Sequence, residues 1–173
     1  MVAQRIDPAT TLAIILGASA WPKAPGLPAS TAFLNSARDF AAYLVERDDF
    51  GMAKENVLDL FDSAVSPSDQ YEQISIFLTK RKAAISSTGR DAADLVLYYV
   101  GHGGFTGRDR EYFLAVRSTR EGGEGGSSIR IGDLAGTLLN DARELRRYLL
   151  LLSCSLHRVS IRSGPSRVAT NRR

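Results

Sequence analysis

The stretch "LVLYYVGHGG", residues 95–104, decides the fold. Leu95–Val100 is a short, unbroken run of aliphatic, β-branched and aromatic residues, and glycines then surround His102. A run of this length closed by glycine reads as a strand buried on both faces, as in a parallel sheet. The pattern predicts that the strand stops near Val100 and delivers His102 just past its carboxyl end.

Working outward, the flanking segments alternate in period. "TLAIILGAS" reads as an earlier buried strand closed by Gly17. Phe33, Leu34, Ala37, Phe40, Ala41, Leu44 and Val45 recur at helical spacing, predicting an amphipathic helix that ends near Gly51. "ENVLDLFDS" reads as a strand, and Ser66-Pro67-Ser68-Asp69 as a helix start with Tyr71, Ile74, Leu78 and Ile85 facing inward. After the 95–104 strand come a short strand at Glu111–Val116, an exposed loop "REGGEGGSS", a helix "IGDLAGTLLNDA" with Leu134, Leu138 and Leu139 inward, and a further buried strand "RRYLLLLSC". Strand and helix in this order predict a three-layer α/β fold: a mostly parallel sheet with helices on both faces and active groups beyond the carboxyl ends of the strands.

The 173 residues carry 22 basic and 19 acidic side chains, a formal net charge of +3. The excess is local. The tail from Ser155 to Arg173 holds five arginines and no acid, and without it 17 basic residues face 19 acidic ones. A near-neutral body argues against a nucleic-acid partner, and the tail, 155–173, is expected to be solvated and disordered. The folded domain is expected over 8–154. A single cysteine, Cys154, allows no disulfide within the chain. The apolar run Leu12–Leu16 is too short for a membrane span and lacks a basic region before it, so the expected location is the cytoplasm, without a membrane partner.

His102 and Cys154 are predicted to close two parallel strands at one rim of the sheet. An imidazole there could help populate the thiolate that a cysteine nucleophile requires. Glycines beside the histidine would leave backbone N–H groups free to hold an oxyanion. His157 follows Cys154 at metal-ligand spacing, but no second such pair exists, so no metal is expected. "GASAWPKAPG" lacks the Gly-Lys-Ser/Thr ending of a phosphate loop, and no cofactor is expected.

In this context "YYVGHGG" resembles the histidine motif of the caspase-like cysteine peptidases, including the metacaspase-type members. "LAIILGAS" resembles their first strand, "FLNSARDFAAYL" their "NDA" helix, and "RRYLLLLSC" the strand that delivers the nucleophile. The resemblance runs from about Thr11 to Cys154. It implies a His102 general base, a Cys154 nucleophile, an oxyanion site from the backbone N–H groups of Gly103 and Cys154, and endopeptidase chemistry on a peptide or protein substrate. It also implies a substrate pocket at positions 36 and 152. There the family's two acids, which hold a basic substrate side chain in metacaspases, are replaced by Ser36 and Leu152. After Cys154 the family continues with further strands, whereas "SLHRVSIRSGPSRVATNRR" has no helical or alternating period. The C-terminal part of the fold is thus expected to be missing, leaving "RRYLLLL" as a leucine-rich sheet edge open to a partner chain. The alternative function is therefore a non-catalytic caspase-like interaction module.

Overall fold

The computed structural model describes residues 6–107 and 110–155, the side chains of Cys154 and Ser155 excepted. The expected basic tail beyond Ser155 and His157 lie outside the described residues. The elements are β1 (Thr11–Gly17), α1 (Thr31–Val45), β2 (Val57–Asp59), α2 (Pro67–Ser86), β3 (Asp94–Phe105), β4 (Tyr112–Leu114), α3 (Glu124–Ser127), β5 (Ile129–Arg130), α4 (Ile131–Asp141) and β6 (Arg146–Ser155). They form a mixed α/β structure.

The sheet is parallel through β6, β3, β1 and β2. The antiparallel strands β4 and β5 continue it. Gly103 pairs with both Leu114 and Ser155. A strand has two edges, so β4 occupies the edge of β3 that β1 vacates after Gly17↔Val100.

All seven residues of β1 are buried, as its unbroken apolar run requires. Leu12, Ile14 and Leu16 join Leu95, Leu97, Tyr99 and the α2 residues Ile74 and Leu78 in one core. Ala13 and Ile15 turn the other way and meet Val96, Tyr98 and Val100 beneath Ala37 and Leu44 of α1. This period of two separates α1 on one face from α2 and α4 on the other. Burying each such leucine or isoleucine contributes roughly 1.5–3 kcal/mol, so the sandwich around β1 and β3 is the stable centre.

Helix α2 begins as its sequence predicts. The Ser66 hydroxyl accepts the Asp69 N–H at 3.2 Å, and the Asp69 carboxylate accepts the Ser66 N–H at 3.3 Å.

Several expectations need correction. Helix α1 ends at Val45, six residues before Gly51, where Glu46 turns extended and its N–H closes on the Ala42 carbonyl at 2.9 Å. Strand β3 does not end at Val100. It continues through Gly-His-Gly-Gly to Phe105, because β4 and β6 supply ladder partners for the glycine segment. His102 and Cys154 accordingly lie within β3 and β6, not past their ends. The "REGGEGGSS" segment contains α3, and Ser127 and Ser128 are buried there by hydrogen bonds to Gly123 and Glu124 carbonyls. Leu139 points outward, 53% exposed. Two expectations meet at β6, a buried strand from its apolar run and an open edge where further strands are lacking; among the described residues it is an edge. Leu149–Leu152 are 42–53% exposed, and among the described residues β6 is paired on one side only.

Candidate functional site: a buried histidine beside the cysteine strand

In the β3–β6 ladder, His102 stands opposite Cys154. Paired positions in a parallel ladder share a pleat and sit about 4.8 Å apart. The same register pairs Tyr98 with Leu150 and Val100 with Leu152, so positions 98, 100, 102, 150, 152 and 154 share the α1 face of the sheet.

The register is pinned at its far end. Asp94, fully buried, pairs with Arg146 directly across the ladder, with Nε 2.7 Å from Oδ1 and Nη2 2.7 Å from Oδ2. The two Arg146 nitrogens lie against the two carboxylate oxygens, so the pair neutralises the one charge buried at the foot of β3. The Asp94 carboxylate, through its hydrogen bond above all, holds the Arg146 guanidinium charged more firmly than usual. A one-residue slip of β6 would break this pair and move position 154 away from 102.

His102 is 4% exposed. Its ring lies between Trp21, with centroids 4.6 Å apart, and Phe33, 5.2 Å away and perpendicular. Nε2 is 2.9 Å from the Pro28 carbonyl oxygen. A carbonyl only accepts, so Nε2 carries the hydrogen, and in the neutral ring Nδ1 keeps a free lone pair. Nδ1 is buried and has no hydrogen-bond partner among the described residues. The imidazole is thus oriented by one nitrogen and leaves a basic atom uncommitted on the other.

The glycines serve the opposite face. A Cβ at Gly101 would come 2.8 Å from the Tyr99 hydroxyl, and one at Gly103 would overlap the Tyr112 hydroxyl. Tyr99 donates to the carbonyl oxygens of His102 and Ala115, the latter at 3.0 Å. Tyr112 shares a hydrogen with Ser153 at 3.2 Å. Burial in this packing pushes the Tyr99 hydroxyl well above the usual tyrosine range. Gly103 has strand partners on both edges, so an oxyanion role for its N–H competes with the sheet ladder. Position 154, the other expected oxyanion donor, lies in β6.

Ser36 lies half-buried on α1, close to the Tyr98 hydroxyl. Burial pushes that hydroxyl up, Ser36 opposes the shift, and the Asp39 charge adds to it. Leu152 is half exposed. The two expected pocket positions therefore border one apolar face beside His102, with Tyr98 and Phe40 stacked at 4.2 Å along it. Among the described residues no group of three or more His, Cys, Asp or Glu side chains could hold a metal ion, and no helix is long and apolar enough to cross a membrane.

Sequence reasoning did not foresee Pro28, Tyr99, Tyr112 or the Asp94–Arg146 pair. One signal was present: Asp94 and Arg146 are separated by 52 positions, as are His102 and Cys154, the constant offset of a parallel register.

No protein-family model matches the chain, and no curated protein matches it significantly.

Proposed function

We propose that the chain is a cysteine-type endopeptidase domain of caspase-like fold, with His102 as general base and Cys154 as nucleophile. The carrying observation is the register His102↔Cys154, joined to an imidazole whose Nε2–H is committed to Pro28. In this reading Nδ1 takes the thiol proton and the thiolate attacks the peptide carbonyl carbon. The amine leaves with the proton from His102, and a thioester remains on Cys154. A water molecule, deprotonated by the same imidazole, then attacks the thioester and restores the thiol. Ser36 and Leu152 supply no carboxylate, so a basic substrate side chain would find no partner at those positions.

The test is the alkylation rate of Cys154 by iodoacetamide against pH, in the native chain and in His102→Ala. A coupled pair gives the native thiol an apparent pKa well below the roughly 8.5 of a free cysteine, and the variant reverts to it. Equal, slow reaction of both proteins with an ordinary thiol pKa would sink the proposal.

A second reading rests on the leucine-rich edge of β6, paired on one side only among the described residues: a caspase-like interaction module that adds a partner strand there. It requires no coupling between His102 and Cys154, so the same alkylation experiment separates the two.

A further inference from the structure

The segment from Ala18 to Ser30, between β1 and α1, carries two of the groups that hold His102. Trp21 covers the ring, and Pro28 accepts from Nε2. Its ends are joined, since the Ser30 N–H donates to the Ser19 carbonyl at 2.9 Å. Ser19 is in turn held by Asp62, which follows β2. The Ser19 N–H donates to Asp62 Oδ1 at 2.8 Å, and the Ser19 hydroxyl donates to Oδ2 at 2.6 Å. Both carboxylate oxygens are thus spent at the base of this one loop.

The backbone of Asp62 is bent to make this possible. Its φ is +55°, a left-handed conformation that few non-glycine residues adopt, and its N–H donates to the Gly17 carbonyl at 3.0 Å. Arg117, arriving from the far side of β4, places Nη1 3.8 Å from Oδ1 and offsets the carboxylate charge. The middle of the loop is held separately, by Trp21 and Ala24 packing on Phe113 and Ala115 and by the Glu121 N–H donating to the Lys23 carbonyl at 3.0 Å.

From this geometry we infer that Asp62 is a positioning residue: through Ser19 it holds the loop so that the Pro28 carbonyl meets His102 Nε2. The inference rests on the dyad reading above. Loss of the carboxylate frees the loop base, loosens the Pro28 acceptor and releases the imidazole to rotate, while the core around β1 and β3 stays intact.

The test uses the full chain labelled with 15N, with the His102 ring signals assigned by their loss in His102→Ala. The readout is solvent exchange of the Nε2–H proton, referred to the backbone amides of β1 and β3. Asp62→Gly removes the carboxylate and keeps the left-handed backbone accessible. It is expected to speed Nε2–H exchange at least about tenfold relative to those amides, the factor that follows from losing even one of the two charge-assisted hydrogen bonds to Ser19. Asp62→Asn retains an acceptor for the Ser19 N–H and should restore slow exchange. Should Asp62→Gly fail to fold, Ser19→Ala, which removes only the hydroxyl contact, is read in the same way with a smaller acceleration. Unchanged Nε2–H exchange, or an equal acceleration of the strand amides, would overturn the role of Asp62 and leave the dyad standing. A native protein without a protected Nε2–H proton would overturn the dyad reading and this inference together.

Discussion

His102 is shaped by what its neighbours lack. Gly101 and Gly103 carry no side chain on the face opposite the imidazole, and the hydroxyls of Tyr99 and Tyr112 fill that room. Gly17 faces a harder limit, because a Cβ there would overlap the Val100 carbonyl oxygen and its φ is +129°. Gly17→Ala should therefore lower stability by about 3 kcal/mol or more, since clash and backbone strain act together. Urea unfolding measures this directly. An unchanged midpoint would mean that β1 and β3 can part at Gly17–Val100 without cost. Asp62, one of two non-glycine residues with positive φ among the described residues, holds this strained backbone where its carboxylate accepts two hydrogen bonds from Ser19.

At the scale of elements, the pairing of β3 with β6 governs the site. Leucines along β6 specify its register weakly, since Leu149, Leu150, Leu151 and Leu152 are interchangeable in a slipped ladder. The Asp94–Arg146 pair distinguishes one register from the others. Removing Arg146 leaves a buried carboxylate without compensation. Breaking an ion pair costs most where both partners are buried; Arg146 is about one-third exposed, so Arg146→Gln is expected to lower stability by less than the loss of a fully buried pair would. Urea unfolding should show that loss, and amide exchange in β6 should quicken more than in β1. Equal exchange in both strands would mean that packing alone holds the register.

Across the whole molecule, three tyrosines link stability to alkaline pH. Burial pushes Tyr71 up to about 12, against the hydrogen bond it shares with the Arg130 backbone and with help from the Asp133 charge. Burial likewise raises Tyr98 and Tyr99. A raised folded-state pKa means that the native protein keeps its protons longer than the unfolded chain. The Tyr71 contribution is fully present below the unfolded value near 10 and is lost as pH rises from 10 towards about 12, and the contributions of Tyr98 and Tyr99 are lost in the same direction as pH rises through their raised values. Phenolate absorbance should show these three of the six tyrosines ionising only as the protein unfolds. All six titrating together near pH 10 in a still-folded protein would refute the burial argument.

Among the described residues, one side of the sheet is uncovered. Tyr148 through Leu152 form an exposed apolar edge strand, and an apolar groove of about 300 Å³ lies beside it between Leu149 and the α4 residues Ile131, Leu134 and Leu138. Edges of this kind pair with other chains. Sedimentation should show concentration-dependent association that Leu150→Lys reduces. A chain that stays monomeric at every concentration would count against a free edge.

Local pattern alone was enough to read the alternation of strand and helix, the two-sided burial of β1 and the capped start of α2, because each depends on residue spacing and on groups within one turn. It also singled out His102 and Cys154 and their common sheet. Tertiary structure decided what those residues became. Whether Gly-His-Gly-Gly is turn or strand depends on β4 and β6 arriving to pair with it, and no local signal encodes that. The tautomer of His102 depends on Pro28, 74 positions away. The exposure of four successive leucines in β6 depends on how far α1 and α4 reach across the sheet, and apolar residues alone cannot reveal that they lack a cover. Periodicity is written in the chain, whereas burial and hydrogen-bond partners are properties of what the chain brings together.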